Sequence, residues 1–404
     1  MTPSSSPVRA TDLSSRPKSW YPGLDGVRAV AVFLVFTVHY LGRPTHYIGW
    51  SGVLIFFVLS GFLITGILFD NQHESHRFRN FYARRTLRIF PLFYFVWLCI
   101  FVAGPFLHAQ WHPILFLWPT YLGNYARFIG GLHADRIYTS FPRFSLEIGH
   151  FWSLAVEEQF YLLWPLVVFF VRGRRALIRI CIAVIVAVPF LRLALVVAMP
   201  PHILANEFLY RMTFSQVDGF LFGGLLALLM RGPEEAAVLR SAPALLWGAI
   251  AALGLSSVLN QGIHVQAVVP SQPWMSIYGF TLLNIAAGGL ILSSLQPRTL
   301  VFRVMTLWPL RVLGKYSYGF YVYHVLLAPF LSYVMPAIDI SRPKRVVYAH
   351  MILGWTIDFL AVLAVSAASY HWIEAPFLRL KGRFATAHKN PDAQEPYPSV
   401  LASI

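Results

Sequence analysis

The chain is short of charge. Only 12% of its 404 residues are Asp, Glu, Lys or Arg, where an ordinary soluble domain carries about a quarter. With 57% hydrophobic residues and a mean hydropathy of +0.59, this excludes a water-soluble globule and leaves a polytopic membrane protein. Cysteine is nearly absent too. Cys99 and Cys181 lie inside apolar runs, with no CxxC and no nearby histidine, so they offer neither a disulfide framework nor a metal site and are expected to be packed inside. Acidic residues are scarce, 17 against 32 basic ones, for a formal net charge of +15. The basic residues sit in small groups at the ends of apolar runs, as topology signals do, so no nucleic-acid partner is expected. Also missing is an N-terminal apolar stretch ending in a small-residue cleavage site. MTPSSSPVRATDLSSRPKSW instead has the make-up of a solvated tail, and the first apolar segment is expected to be retained as a signal-anchor.

What the chain has in abundance is apolar runs long enough to cross a hydrocarbon core of about 30 Å. They predict an all-α bundle of about ten transmembrane helices near 27–42, 50–69, 87–106, 151–171, 176–198, 214–230, 243–260, 274–295, 313–335 and 346–372. Residues 107–119 are too short and proline-bound for a clean span and read as interfacial or re-entrant. The domain plan is a tail over 1–24, a transmembrane domain over 25–375 and a second tail over 376–404, too short for another catalytic domain. Most Lys and Arg fall in alternate loops on the side of the termini, which predicts that both termini are cytoplasmic. The largest outer loop, about 120–150, is aromatic and Gly-rich. That suits sugars or lipid headgroups, and equally any interfacial loop.

Ionisable residues inside apolar helices are costly and normally face a bundle interior or a water-filled cavity. On the first helix Arg28 and His39 share a face, and helical rise puts His39 about 16 Å beyond Arg28, near mid-bilayer if Arg28 marks the inner interface. In IGHFWSLAVEEQFYLLWP the face of Glu157 runs His150, Ser153, Glu157, Tyr161, Trp164, so Glu157, rather than Glu158, lies on a polar stripe. In GKYSYGFYVYHVLL, Ser317, Phe320, Tyr321 and His324 form one side, with His324 about 14 Å beyond Lys315. Two histidines and a carboxylate thus share a depth on three helices. Each could equally be a core group satisfied by a backbone carbonyl. FYARRTLRIFP sets Arg84, Arg85 and Arg88 at the inner mouth of the third helix, where guanidinium forks suit phosphates and also plain positive-inside anchoring.

The stretches LDGVRAVAVFLVFTVH, GVLIFFVLSGFLIT, FYARRTLRIFP, HFWSLAVEEQFYLLWP, GKYSYGFYVYH and SYHWIEAPF occur in this order from about Leu24 to Phe377. The chain resembles the acyltransferase 3 family of bacterial integral membrane acyltransferases. The resemblance implies transfer of an acyl group, most often acetyl, from cytoplasmic acyl-CoA to a hydroxyl of a cell-envelope glycan, a glycolipid or a secreted small molecule such as a macrolide. It implies essential roles for His39, for Arg28 of the LDGxR motif and for the RxxR pair Arg85 and Arg88. It also implies a location in the bacterial cytoplasmic membrane. Some members carry an extra esterase-like domain, for which the length leaves no room, so transfer is expected of the membrane domain itself.

O-acyl transfer needs a base for the hydroxyl proton and donors for the developing oxyanion. His39 is the expected base, since imidazole titrates near neutrality. Arg28, Arg85 and Arg88 are expected to hold the CoA phosphates. Glu157 would orient a histidine or fix the acceptor hydroxyl, and His324 would polarise the carbonyl or complete a proton relay. Ser153, Tyr161 and Tyr321 are candidate substrate contacts. Acyl-CoA is consumed as donor substrate, with no resident cofactor and no metal. The competing expectation is a transporter or flippase of an envelope glycan precursor, which also explains ionisable groups at the midplane, although no internal repeat is visible.

Overall fold

The structure is a computed structural model that describes residues 21–40, 48–141, 144–171, 173–200, 202–203, 207–261, 269–334 and 343–384. Helix dominates because the apolar runs must satisfy their own backbone groups, which a helix does within the segment. Among the described residues eight helices are long and apolar enough to cross a bilayer: Pro22–Tyr40, Ser51–Asp70, Arg77–Ala103, Gly149–Phe170, Arg174–Ala198, Glu235–Asn260, Met275–Ser294 and Lys344–Phe384. The other two expected spans are helical but fall outside that set. Thr213–Leu229 is shorter, and Ser317–Val334 is diluted by serine, tyrosine and histidine.

The site depends on a few of these elements, labelled α1 (Pro22–Tyr40), α2 (Ser51–Asp70), α3 (Arg77–Ala103), α4 (Trp152–Phe170), α5 (Arg174–Ala198), α6 (Thr213–Leu229) and α7 (Ser317–Val334). Helix α3 begins well ahead of the expected 87. Arg84, Arg85 and Arg88 therefore project from within the helix and not from its mouth. The ninth expected span is broken at Tyr316: a short helix, Trp308–Lys315, ends there and α7 follows.

Glycines set the closest crossing. A Cβ on Gly223 of α6 would stand 1.9 Å from the Val58 carbonyl of α2, and one on Gly61 would stand 1.8 Å from the Phe220 carbonyl, so the two backbones touch where neither carries a side chain. On the other flank of α6, Arg192 of α5 forms a fully buried ion pair with Asp218. Its guanidinium also donates to the Ser215 carbonyl at 3.0 Å.

One expectation is refined and two are corrected. The all-α class holds, and the 120–150 loop adds a short hairpin in which Arg136–Tyr138 and Ser145–Glu147 pair as antiparallel strands, with Arg136 facing Glu147 at 2.9 Å. Cys99 is exposed on the flank of α3, and Cys181 alone is packed inside; both are free thiols. The segment read as a tail from 376 starts instead with the helix Ala375–Arg379 and the 3-10 turn Leu380–Phe384, which pack against α3 and bury Leu378 and Lys381. Apolar Leu378 supplies the contact that a solvated tail would lack. The remainder of both expected tails, 1–20 and 385–404, lies outside the described residues.

Candidate active site

Helices α1, α2, α3, α4 and α7 enclose a cavity lined by Arg28, Arg85 and Arg88 together with Glu157, Tyr161, Ser153 and Tyr321. Each guanidinium is matched to a carboxylate. Arg28 lies 2.9 Å from Asp25, one turn earlier on α1. Arg85 lies 3.9 Å from Glu157 and stacks over the Tyr161 ring, 3.7 Å from its centroid. Arg88 lies 3.4 Å from Glu374 of the C-terminal segment. Such pairing lets three cations share one partly dry space, since opposite charge offsets both their repulsion and part of the desolvation cost.

Glu157 is fixed from two further sides, accepting hydrogen bonds from Ser60 of α2 and from Tyr161 one turn along its own helix. Its expected role of orienting a histidine finds no contact: the partners of the carboxylate are Ser60, Tyr161 and Arg85. The stripe on α4 does face the cavity, but the cavity belongs to the arginines.

The histidines gather elsewhere. The His39 ring lies 5.0 Å from that of His324, and the His324 ring 5.3 Å from that of His150, between ring centroids. His39 lies near the end of α1 as described, about three turns beyond Arg28, and is exposed. His324 is wholly buried within α7 and His150 is buried in the turn that opens α4. Among the described residues no group of three His, Cys, Asp or Glu is arranged to hold a metal ion.

Tyr321 stands between the two groups. It lines the cavity, while its ring lies 5.4 Å from that of His324. Its hydroxyl donates to the His150 carbonyl at 2.7 Å, which leaves Ser153 to donate to Tyr321. The structure thus brings Arg28, Arg85, Arg88, Glu157, Tyr161, Ser153 and Tyr321 to one cavity, and His39 and His324 to a neighbouring cluster. Sequence reasoning placed His150 on the polar face of Glu157 without a role and passed over Ser60, Glu374 and Lys381. Glu374 and His150 lay inside quoted motifs, SYHWIEAPF and HFWSLAVEEQFYLLWP, and only their neighbours were given roles.

A multi-pass helical bundle that sets an arginine-lined cavity beside a histidine cluster is equipped for group transfer within a membrane. The chain belongs to the acyltransferase 3 family, matching that family's acyltransferase domain over residues 21–371. It is 28% identical over 375 residues to the O-acetyltransferase OatA of Staphylococcus aureus (strain NCTC 8325 / PS 47), a match covering 90% of this chain and 58% of the relative. It is 28% identical over 380 residues to the peptidoglycan O-acetyltransferase OatA of Listeria monocytogenes, covering 89% and 56%. To the putative peptidoglycan O-acetyltransferase YrhL of Bacillus subtilis it is 29% identical over 374 residues, covering 90% and 55%. The chain therefore spans a little over half the length of these curated relatives. No solved structure matches it significantly.

Proposed function

We propose that this protein is an acyl-CoA-dependent O-acetyltransferase of the bacterial cytoplasmic membrane, acting on a hydroxyl of a cell-envelope glycan. The carrying observation is the cavity that joins Arg28, Arg85 and Arg88 to the wall formed by Ser153 and Tyr321, directly against the histidine cluster. Relatives named for peptidoglycan make that polymer the first acceptor to try.

In this reading Arg85 and Arg88 grip the CoA phosphates through planar forks, with Arg28 beside them. The thioester extends past Tyr321 to His39, which takes the proton of the acceptor hydroxyl as the new ester bond forms. The C–S bond breaks, and the thiolate recovers the proton from His39. Glu157 holds Arg85 and Tyr161 in place. In this reading Thr213–Leu229 and Ser317–Val334 join the eight long helices as crossings, an even number that puts both termini on one side of the membrane, and the Lys and Arg gathered on that side make it the cytoplasmic one. Purified protein supplied with acetyl-CoA and peptidoglycan fragments tests the reading. Release of CoA that depends on the fragment supports it; fragment movement across a vesicle wall without CoA release supports transport instead.

A further inference from the structure

The histidine cluster holds more than a base. His324 places Nδ1 2.6 Å from the carbonyl of Tyr321, and His150 places Nε2 3.2 Å from the carbonyl of Val322. A carbonyl only accepts, so both of those nitrogens carry the ring proton. The two rings are thereby held as opposite tautomers, leaving His324 Nε2 and His150 Nδ1 as bare lone pairs. Both atoms are buried and neither has a hydrogen-bond partner among the described residues. Exposure is 0% for His324 and 6% for His150. Buried acceptors left unmatched are costly, which marks the place as one that receives a donor.

Its surroundings prevent easy relief by movement. The Tyr40 hydroxyl donates to the backbone carbonyl of His324, and the Tyr321 hydroxyl to that of His150, so both histidine backbones are pinned from neighbouring side chains. Of the three rings, His39 is the exposed one, and the cluster therefore opens at His39.

We propose that this cluster is the binding site for a polyhydroxylated acceptor: His150 Nδ1 accepts a hydrogen bond from one acceptor hydroxyl, and, with the acceptor in place, the neighbouring His39 ring turns its N–H onto His324 Nε2. The inference rests on the O-acetyltransferase reading above. The hydroxyl to be acylated gives its proton to His39, its neighbour on the sugar is held by His150, and His324 steadies the imidazolium. His324 is then a positioning residue and not a link in a relay. Its Nδ1–H is committed to a peptide carbonyl that has nowhere to pass a proton, so the proton stays on His39 until the thiolate takes it.

The test uses the full-length protein in lipid nanodiscs, with acetyl-CoA and a peptidoglycan disaccharide as probe. His150→Leu should raise the KM for disaccharide by about tenfold or more and leave the KM for acetyl-CoA unchanged, while His150→Asn, which restores an acceptor oxygen, recovers most of the loss. His324→Leu should lower kcat with both KM values unchanged, and His324→Gln should partly restore it. Equal behaviour of the Leu and Asn variants at 150 overturns the proposal. If the wild-type protein releases no CoA with this pair, the donor and acceptor reading fails, and the pocket is judged by nitrogen NMR on protein labelled at histidine. Expected are one protonated and one bare nitrogen in each of His150 and His324, with the bare His150 signal, assigned by its loss in His150→Leu, moving when disaccharide is added. A protonated Nδ1 on His150, or a signal unmoved at saturating disaccharide, overturns it.

Discussion

Three guanidiniums share one cavity because each has its own carboxylate, and that pairing decides what a ligand meets. Asp25, Glu157 and Glu374 hold the forks in place, and in the proposed reading the remaining N–H groups serve the donor's phosphates. Lysine, a point charge on a flexible stem, keeps the sign and loses the fork. Arg85→Lys and Arg88→Lys are therefore expected to insert normally yet raise the acetyl-CoA requirement, each lost charge-assisted bond being worth roughly 1.5–3 kcal/mol. Unchanged acetyl-CoA dependence in both would reduce the cluster to a topology signal. His39 calls for a different measurement. As the base, His39→Gln should abolish transfer with acetyl-CoA binding and protein yield nearly unaltered, since Arg28 lies about three turns away on α1 and Arg85 and Arg88 lie on α3. A purely structural histidine would instead lower the amount of folded protein. Arg28, Arg85, Arg88 and His39 could be singled out in the sequence because their spacing is local. Glu157 stood out as well, on its polar stripe, but its pairing with Arg85 and that of Glu374 with Arg88 could not be read, because those carboxylates come from distant parts of the chain.

At the scale of elements, the least expected feature lies away from the cavity. Arg192 and Asp218 form an ion pair with essentially no exposure, and Thr281 donates to Asp218 at 2.8 Å while Arg192 reaches the Ser276 and Ile277 carbonyls at 3.4 Å. One guanidinium thus ties α5 to α6 and to the wide turn Met275–Gly279. Asp218→Leu leaves that cation buried and unmatched, and should destabilise the bundle by about 3–5 kcal/mol, read as a lowered unfolding midpoint in detergent. Asp218→Asn, which retains an acceptor for Thr281, should cost less; equal midpoints for all three proteins would mean the pair contributes little. Hydropathy located these helices to within a few residues but missed the early start of α3, where Arg77–Arg88 interrupts the apolar signal although the helix is continuous. It also read 376–384 as solvated. Lys381 there is nevertheless buried, within the electrostatic reach of Arg88 and Arg85.

For the whole molecule, the proposed ten crossings make a direct claim about sidedness. A fluorescent protein that folds only in the cytoplasm, fused after Ile404, should be bright, and alkaline phosphatase fused there should be inactive. The same two reporters inserted near Gly131, in the loop between α3 and α4, should give the reverse. Matching signals at both places would require an odd number of crossings to be replaced by an even one between them, and would undo the assignment of donor and acceptor to opposite faces.

The sequence by itself determined that the chain is a helical membrane protein, which motifs it carries, and that arginines and histidines interrupt its apolar runs. Those properties follow from composition and from the 3.6-residue period, both of which act over a few turns of chain. Tertiary structure alone decided that Glu157 meets Arg85, Ser60 and Tyr161, that Arg88 meets Glu374 across 286 residues of chain, and that His39, His150 and His324 form a cluster beside the cavity. It decided too which nitrogen of His150 and His324 is bare, because a tautomer is set by whichever carbonyl the fold brings to the ring.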